Sequence, residues 1–469
     1  MIDLPFLAGR AVAVMGLGKS GAATAEALMR SGAVVWAWDD NAERRKEAER
    51  AHIPLVDLRR QELEAAAMLV LSPGIPHSFP FPHPVAARAR AAGLEIVCDL
   101  ELLWRSRRDA TYVGITGTNG KSTTTALIGH ILDRAGKRAQ TGGNLGTPAL
   151  SLAPLEAGGI YVIEASSYQL ELTPTLTFDI AVLTNISPDH LDRHGGLAGY
   201  IAAKQHIFDR QFGRQTAIVG IDDDHAREIH RELVARGDRI VIPISATRPV
   251  ADGVSAADGQ LIDASDDAAQ KIADLTAIAT LPGRHNWQNA AAAYAAVKAV
   301  GVAPAAIAEG LRSFPGLAHR QELIAVLDGV RYVNDSKATN ADAAEKALIC
   351  YDRVYWIAGG RPKEGGIESL RAHFPRVAHA YLIGEAAEAF ARTLDGAVPY
   401  SISRTLEAAV AAAHTDARQA KPGAVVLLSP ACASWDQFAN FEARGERFRA
   451  LVQALPEFRP LRQSAGGAS

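Results

Sequence analysis

The stretch of the chain best equipped for chemistry is Thr116-Gly117-Thr118-Asn119-Gly120-Lys121-Ser122-Thr123. Glycines let successive backbone N–H groups close around phosphate oxygens, and a helix starting here adds its positive end. In such a loop Lys121 reaches the β- and γ-phosphates and the Ser122 hydroxyl ligates Mg2+. The general pattern puts a glycine where this chain has Ile115; the nearest one is Gly114. A plain glycine-rich turn is the alternative. The apolar run before the loop and the helical pattern after it are what a phosphate loop requires. Glu164 closes another apolar run, and His190 lies in Ser187-Pro-Asp-His-Leu-Asp192 after the next. Alone, each reads as a surface residue. Beside a phosphate loop, Glu164 becomes a Mg2+ partner and His190 a candidate at the same centre. Lys204 falls on a helical pattern that begins near Leu197; by residue type alone it reads as a solvated helical lysine.

A second glycine pattern, Gly16-x-Gly18-x-x-Gly21, follows an apolar run and opens a helical one, with Asp39 about twenty residues on. It admits a nicotinamide-dependent oxidoreductase. It equally suits the diphosphate of a nucleotide-linked substrate, with Asp39 reaching a ribose or base edge. Nicotinamide binding at Gly16 would separate the two. A nucleotide switch that hydrolyses ATP without an acceptor amine is a further alternative.

The elements that must hold these residues alternate between apolar runs and helical segments. Ala11–Met15, a helix from Ala22 to Arg30, and Val34–Trp38 form a strand-helix-strand unit, and Met68–Leu71 adds a strand. Tyr112–Thr116 enters the phosphate loop, and Lys121–Ala135 reads as a helix stopped at Gly136. Runs at Ile160–Ile163, Ile180–Leu183, Val330–Val333, Val354–Ile357, Ala380–Ile383 and Val425–Leu428 each end in polar or glycine clusters. In open α/β sheets those carboxyl ends are where ligands sit. The fold class is α/β with three consecutive domains. These are a Rossmann-like unit at 1–107, a central P-loop-type, ATPase-like parallel sheet at 108–316, and a second Rossmann-like unit at 317–469. Polar residues Arg105–Asp109 read as a linker, 315–320 as a hinge, and Gln463–Ser469 as a frayed tail.

At 469 residues the chain is long enough for two to four domains. A net charge of -3 provides no general field for nucleic acid or an anionic membrane, so none is expected as a partner. Cys98, Cys350 and Cys432 show no metal or disulfide spacing. The start does not read as a signal peptide and no run spans a bilayer, so the cytoplasm is the expected compartment.

Taken in order, the motifs resemble the Mur ligase family over nearly the whole chain. They are GLGKSG at Gly16, SPGIP at Ser72, TGTNGKST at Thr116, GGNLG at Gly142, EASSYQLE at Glu164 and SPDHLDRH at Ser187. AAKQHIF around Lys204, GRHNWQNAAAA at Gly283, HRQE at His319, NDSKATN at Asn334, AGG at Ala358 and LSPACASWDQFANFEARG at Leu428 complete the set. The family also uses an isoleucine-type residue where Ile115 stands. The last motif resembles the branch that adds D-glutamate. Folylpolyglutamate synthase shares the central motifs but lacks the N-terminal unit.

The resemblance implies an ATP-dependent amide ligase working through an acyl phosphate, in peptidoglycan precursor synthesis and hence cell-wall biogenesis, cell shape and division. Its implied substrates are UDP-N-acetylmuramoyl-L-alanine and D-glutamate, on a monomer. Gly16, Leu17, Gly18, Lys19, Ser20, Asp39, Ser72, Gly74 and Asn144 would meet the UDP substrate. Gly117 to Thr123, His285, Asn286, Asn289, Arg320, Asp335 and Lys337 would meet ATP. Ser122, Glu164, His190 and Lys204 would serve two Mg2+ ions, with Lys204 converted by CO2 to a carbamate. Lys121, His190, Lys204 and Lys337 would be catalytic. Thr339, Lys363, Ser434 and Phe441 would hold D-glutamate, although the loop Arg361-Pro362-Lys363 departs from the Gly/Asp-rich run expected there.

Overall fold

The computed structural model describes residues 1–458 apart from 145, 267, 364 and 421–422. The tail assigned as frayed lies outside the described residues. The chain forms two compact units, one of Met1–Leu275 with Asn286–Arg312, the other of Thr276–His285 with Ser313 onward.

The first unit carries two sheets. The N-terminal sheet orders its parallel strands Val34–Trp38, Ala11–Met15, Leu69–Leu71 and Ile96–Val97. Val12 to Met15 are almost completely buried, as a strand covered on both faces requires. Met68 stays outside the strand Leu69–Leu71, and the helix after Ala11–Met15 begins earlier than its apolar pattern does, at Lys19 rather than Ala22.

The second sheet has nine strands in the order Gln270–Asp274, Gln260–Asp263, Val254–Ser255, Ile240–Ser245, Thr216–Gly220, Ile180–Leu183, Thr111–Thr116, Ile160–Glu164 and Ala139–Gly143. From Val254–Ser255 to Ala139–Gly143 every pairing is parallel; the two strands beyond Val254–Ser255 pair antiparallel. The central sheet is thus mixed at one edge rather than wholly parallel, because short turns join those last strands and need no crossover helix.

Arg105 and Ser106 belong to the helix Asp99–Ser106 rather than to a linker. Buried Glu101 explains this. Its carboxylate accepts from the Arg105 guanidinium (2.8 Å), from the Thr175 hydroxyl, and from the backbone N–H of Thr175 and of Leu176 (3.0 Å each). That pins the helix to the central segment.

The second unit holds a sheet ordered Glu322–Leu327, Val330–Asn334, Val425–Leu428, Val354–Gly359, Val377–Ile383 and Tyr400–Arg404, parallel except for its first pair. Among the described residues no helix is long and apolar enough to cross a membrane.

Candidate active site

The phosphate loop leaves the strand Thr111–Thr116 and enters the helix Lys121–Arg134. Gly120, at φ +85°, takes a left-handed turn, and a Cβ there would collide with the Asn289 amide. The loop is braced from the next strand end. The Thr184 hydroxyl donates to the Asn119 carbonyl at 2.6 Å, and Asn119 N–H donates to the Asn185 side chain at 2.9 Å. Thr118 Oγ1 donates to the Ser187 carbonyl at 3.0 Å and lies 3.0 Å from the Tyr200 hydroxyl. Asn289, hydrogen bonded to Asn286 at 3.2 Å, lines the other side of the loop from the helix Arg284–Ala299.

Lys121 Nζ donates to the carbonyls of Gly117 (2.8 Å) and Thr118 (2.9 Å). Lys204 is not the solvated lysine its residue type suggests. It is 2% exposed, donates to the same Gly117 carbonyl at 2.9 Å, and lies 4.6 Å from the centre of the Tyr200 ring. Burial first, and the Lys121 charge second, hold its pKa well below the ordinary lysine value against the pull of Asp189 and Glu164. Glu164, 2% exposed, lies within its strand rather than after it. One carboxylate oxygen accepts from Asn144 Nδ2 at 2.8 Å, and the other is buried without a hydrogen-bond partner.

His190 is half exposed and adopts φ +50°, capping the short helix Leu191–His194. Burial lowers its pKa; Lys121 and Lys204 add to that, while Asp189 opposes it from 3.5 Å. Lys121, Lys204, Glu164, Asn144 and His190 thus converge around the loop.

Around the first glycine motif lies a cavity of about 500 Å3, lined by Gly16, Gly18, Lys19, Ser20, Asp39, Ser72 and Gly74, with Asp40, Asn41, Arg44 and His83. Leu17 is absent from its lining and is buried at 3% exposure. Asp39 accepts from the backbone N–H of Leu17 (2.7 Å) and Asn41 (2.8 Å), so it shapes the loop as well as facing the cavity. Arg44 carries a guanidinium to this cavity, yet in sequence it looks like any charge on a polar helix.

In the second unit, Asp335 follows the strand Val330–Asn334, accepting from the Ser429 hydroxyl (2.8 Å) and the Gln321 N–H (3.1 Å). Burial raises its pKa to about 7, against those two hydrogen bonds and the positive charges of Arg320 and Arg444. Lys337 Nζ lies 4.9 Å from the centre of the Phe441 ring, and Thr339 N–H donates to the Lys337 carbonyl at 2.8 Å. Lys363 is exposed, on a loop whose Arg361 pairs with Ala433, next to buried Ser434.

Arg444, inside the motif at Leu428 but given no role by it, organises this end. Only 1% exposed, it donates to the carbonyls of Ser336 (2.8 Å), Cys432 (3.1 Å) and Ala433 (3.4 Å), and to the Ser336 hydroxyl (3.0 Å). His285 is buried, which lowers its pKa to about 4, and lies 3.3 Å from the Gln321 side-chain nitrogen.

Three family models match successive parts of the chain: the Mur ligase MurD-like N-terminal domain at residues 10–98, the Mur ligase middle domain at 115–297, and the Mur ligase glutamate ligase domain at 319–432. The chain belongs to the Mur ligase family. Two relatives are each named UDP-N-acetylmuramoylalanine–D-glutamate ligase and are 57% identical. The one from Paramagnetospirillum magneticum covers 97% of this chain and 99% of the relative; that from Rhodospirillum rubrum covers 99% of each. Among solved structures, the UDP-N-acetylmuramate-alanine ligase MurC of Thermotoga maritima superposes with a TM-score of 0.56 at 16% identity, over 95% of this chain and 99% of that one. It shares the fold. For a Mur ligase the first glycine motif belongs to the N-terminal domain of a ligase, which removes the oxidoreductase reading.

Proposed function

We propose that this Mur ligase joins D-glutamate to UDP-N-acetylmuramoyl-L-alanine through an amide bond, converting ATP to ADP and phosphate, in peptidoglycan precursor synthesis. The observation that carries this reading is the convergence of Lys121, Lys204, Glu164 and His190 on one phosphate loop. Relatives with that named activity, matched over nearly full length, support it.

A carboxylate is a poor electrophile, because its substitution would expel oxide. Phosphorylation by ATP gives an acyl phosphate, whose leaving group is phosphate. The obstacle is the approach of an anionic carboxylate to the γ-phosphate. The loop from Gly117 to Thr123 cradles that phosphate, with Lys121 and Lys337 supplying positive charge where negative charge accumulates. Asn286, Asn289, Arg320 and Asp335 hold the nucleotide. The glutamate amine then attacks the acyl carbon, and His190, held below its ordinary pKa, can accept the proton the amine loses.

Mg2+ suits the donor set. The buried Glu164 oxygen without a hydrogen-bond partner offers a carboxylate ligand, and Ser122 a hydroxyl. Among the described residues no group of three His, Cys, Asp or Glu could hold a metal by itself. Bound there, Mg2+ supplies charge neutralisation between the phosphates. A neutral Lys204 amine is the form that adds to CO2, and its carbamate would help hold a second ion beside His190.

Gly16 to Ser20, Asp39, Ser72, Gly74 and Asn144 take the UDP substrate, and Thr339, Lys363, Ser434 and Phe441 take D-glutamate. We assign 1–107, 108–316 and 317–469 to the UDP substrate, ATP and D-glutamate respectively. We further propose that the reaction takes place in the cytoplasm, on a monomer. Phosphate release from ATP, with each component omitted in turn, tests the reading. Release is expected to need both substrates, with L-glutamate inactive. Release indifferent to D-glutamate would overturn the amino-acid assignment.

A further inference from the structure

Two short segments of the first unit are fastened together between the N-terminal cavity and the phosphate loop. One is the loop from Ser72 to His77, whose Ser72 and Gly74 line the cavity. The other is the helix Leu191–His194, capped by His190. Arg193 Nη1 donates to the Gly74 carbonyl at 2.9 Å, and its guanidinium carbon lies 4.6 Å from the centre of the Tyr168 ring. The same ring meets His190 at 5.1 Å and stacks on His194 at 5.2 Å, with planes 14° apart. A second fastening runs through Glu171. It binds His194 Nδ1 at 3.2 Å with one oxygen and His77 Nε2 at 3.0 Å with the other.

The cavity loop thus holds the C-terminal end of one helical turn, through the adjacent Arg193 and His194, and the residue that caps the other end of that turn belongs to the reaction centre. His190 sits in the left-handed region, which is strained for a non-glycine residue and persists only when its neighbours fix it. Its ring has Tyr168 on one side, and Tyr168 is held in turn by the cation that grips Gly74. A shift of the loop on filling the cavity therefore pulls on Arg193, and through the Tyr168 ring on His190.

We propose that Arg193, seated on Tyr168, is a positioning residue that couples occupancy of the N-terminal cavity to the placement of His190 beside the phosphate loop. The inference rests on the cavity being the UDP-substrate site. It assigns the coupling to a strap that touches neither the nucleotide nor the acceptor amine. Linkage makes the coupling reciprocal: substrate in the cavity tightens nucleotide at the loop by the same factor that nucleotide tightens substrate.

Calorimetric titration of the full chain with a non-hydrolysable ATP analogue and Mg2+, with and without UDP-N-acetylmuramoyl-L-alanine, tests it. In the unsubstituted protein the substrate is expected to tighten the analogue on the order of 10-fold. Arg193→Met should bind each ligand alone as before, lose that factor, lower kcat, and raise the KM for ATP measured at saturating UDP substrate by about the same factor. Tyr168→Leu should do the same and serves as the second variant should Arg193→Met fail to fold. An Arg193→Met protein that keeps the full coupling overturns the strap and leaves the ligase reading standing. Absence of coupling in the unsubstituted protein, with both ligands bound and turned over, does likewise. Failure of the unsubstituted protein to bind the UDP substrate overturns both.

Discussion

Lys121 and Lys204 donate to the same acceptor, the carbonyl oxygen of Gly117, at 2.8 and 2.9 Å. Two ammonium groups on one carbonyl repel each other, and the buried one yields. Burial and the Lys121 charge both favour the neutral Lys204 amine, which is the nucleophile that captures CO2. Incubation with 13C-bicarbonate should therefore give a carbamate carbon signal by NMR. Lys204→Arg, which keeps the charge but cannot form the carbamate, should abolish both the signal and most of the activity. An active Lys204→Arg protein would refute the carbamate.

The same pair predicts an asymmetry. Lys121 faces the loop where phosphate charge accumulates, so Lys121→Met should lower kcat by about 100- to 1000-fold, the range found when one preorganised electrostatic group is removed. The KM for D-glutamate should barely move. Initial rates across both substrates check this. A large rise in the D-glutamate KM with kcat intact would mean Lys121 serves binding instead.

Gly114 stands one residue before the position where the general phosphate-loop pattern wants glycine, and the structure gives it another task. A Cβ at Gly114 would lie 2.5 Å from the Phe178 ring, so the glycine makes room for packing under the sheet. Gly114→Ala should destabilise the protein by about 1–3 kcal/mol, the usual cost of overpacking, and leave the KM for ATP unchanged. Denaturant unfolding and ATP kinetics together check this.

That case shows what the sequence can and cannot say. Strand positions were legible because apolar runs such as Ile180–Leu183 are buried on both faces, and the phosphate loop because glycines and a helix start leave little choice. Lys204 was not legible from residue type. Its burial depends on Tyr200 and Gly117, which are brought together only by the tertiary fold. Its role came from the family resemblance. Arg44 carried no signal, and Arg193 and Arg444 fell inside the motifs at Ser187 and Leu428 without a role of their own, since an arginine on a helix looks the same whether it faces water, a cavity or three buried carbonyls. The antiparallel strands Gln260–Asp263 and Gln270–Asp274 were missed because they are short and polar at alternate positions, as an edge permits.

Asp335 carries a pH signature. Its folded pKa, raised by burial to about 7, lies above the unfolded value near 3.8. Between those values the folded state keeps a proton that the unfolded state has released, so its contribution to stability falls as pH rises from about 4 to 7. Asp335→Asn removes that loss while keeping one acceptor oxygen. The melting temperature of the variant should gain on the original between pH 5 and pH 8, although its activity should drop if Asp335 meets ATP. A melting-temperature difference independent of pH would show that Asp335 is ionised throughout.

Arg444 supplies a last test, of geometry rather than charge. Its fork spans the Ser336, Cys432 and Ala433 carbonyls, joining the segment that leads to Lys337 and Thr339 to the one that leads to Ser434. Burial lowers its pKa to about 10, still charged at neutral pH, so the carbonyls keep a cationic partner. Arg444→Lys preserves the charge but offers a compact ammonium where a planar fork is needed, and some of those buried carbonyls lose their donor at about 1–3 kcal/mol each. The variant should melt lower and show a raised KM for D-glutamate, with the KM for UDP-N-acetylmuramoyl-L-alanine unchanged, because the cavity at Gly16 and Ser72 belongs to the other compact unit. Equal rises in both constants would trace the effect to general loss of structure and not to the placement of the D-glutamate residues.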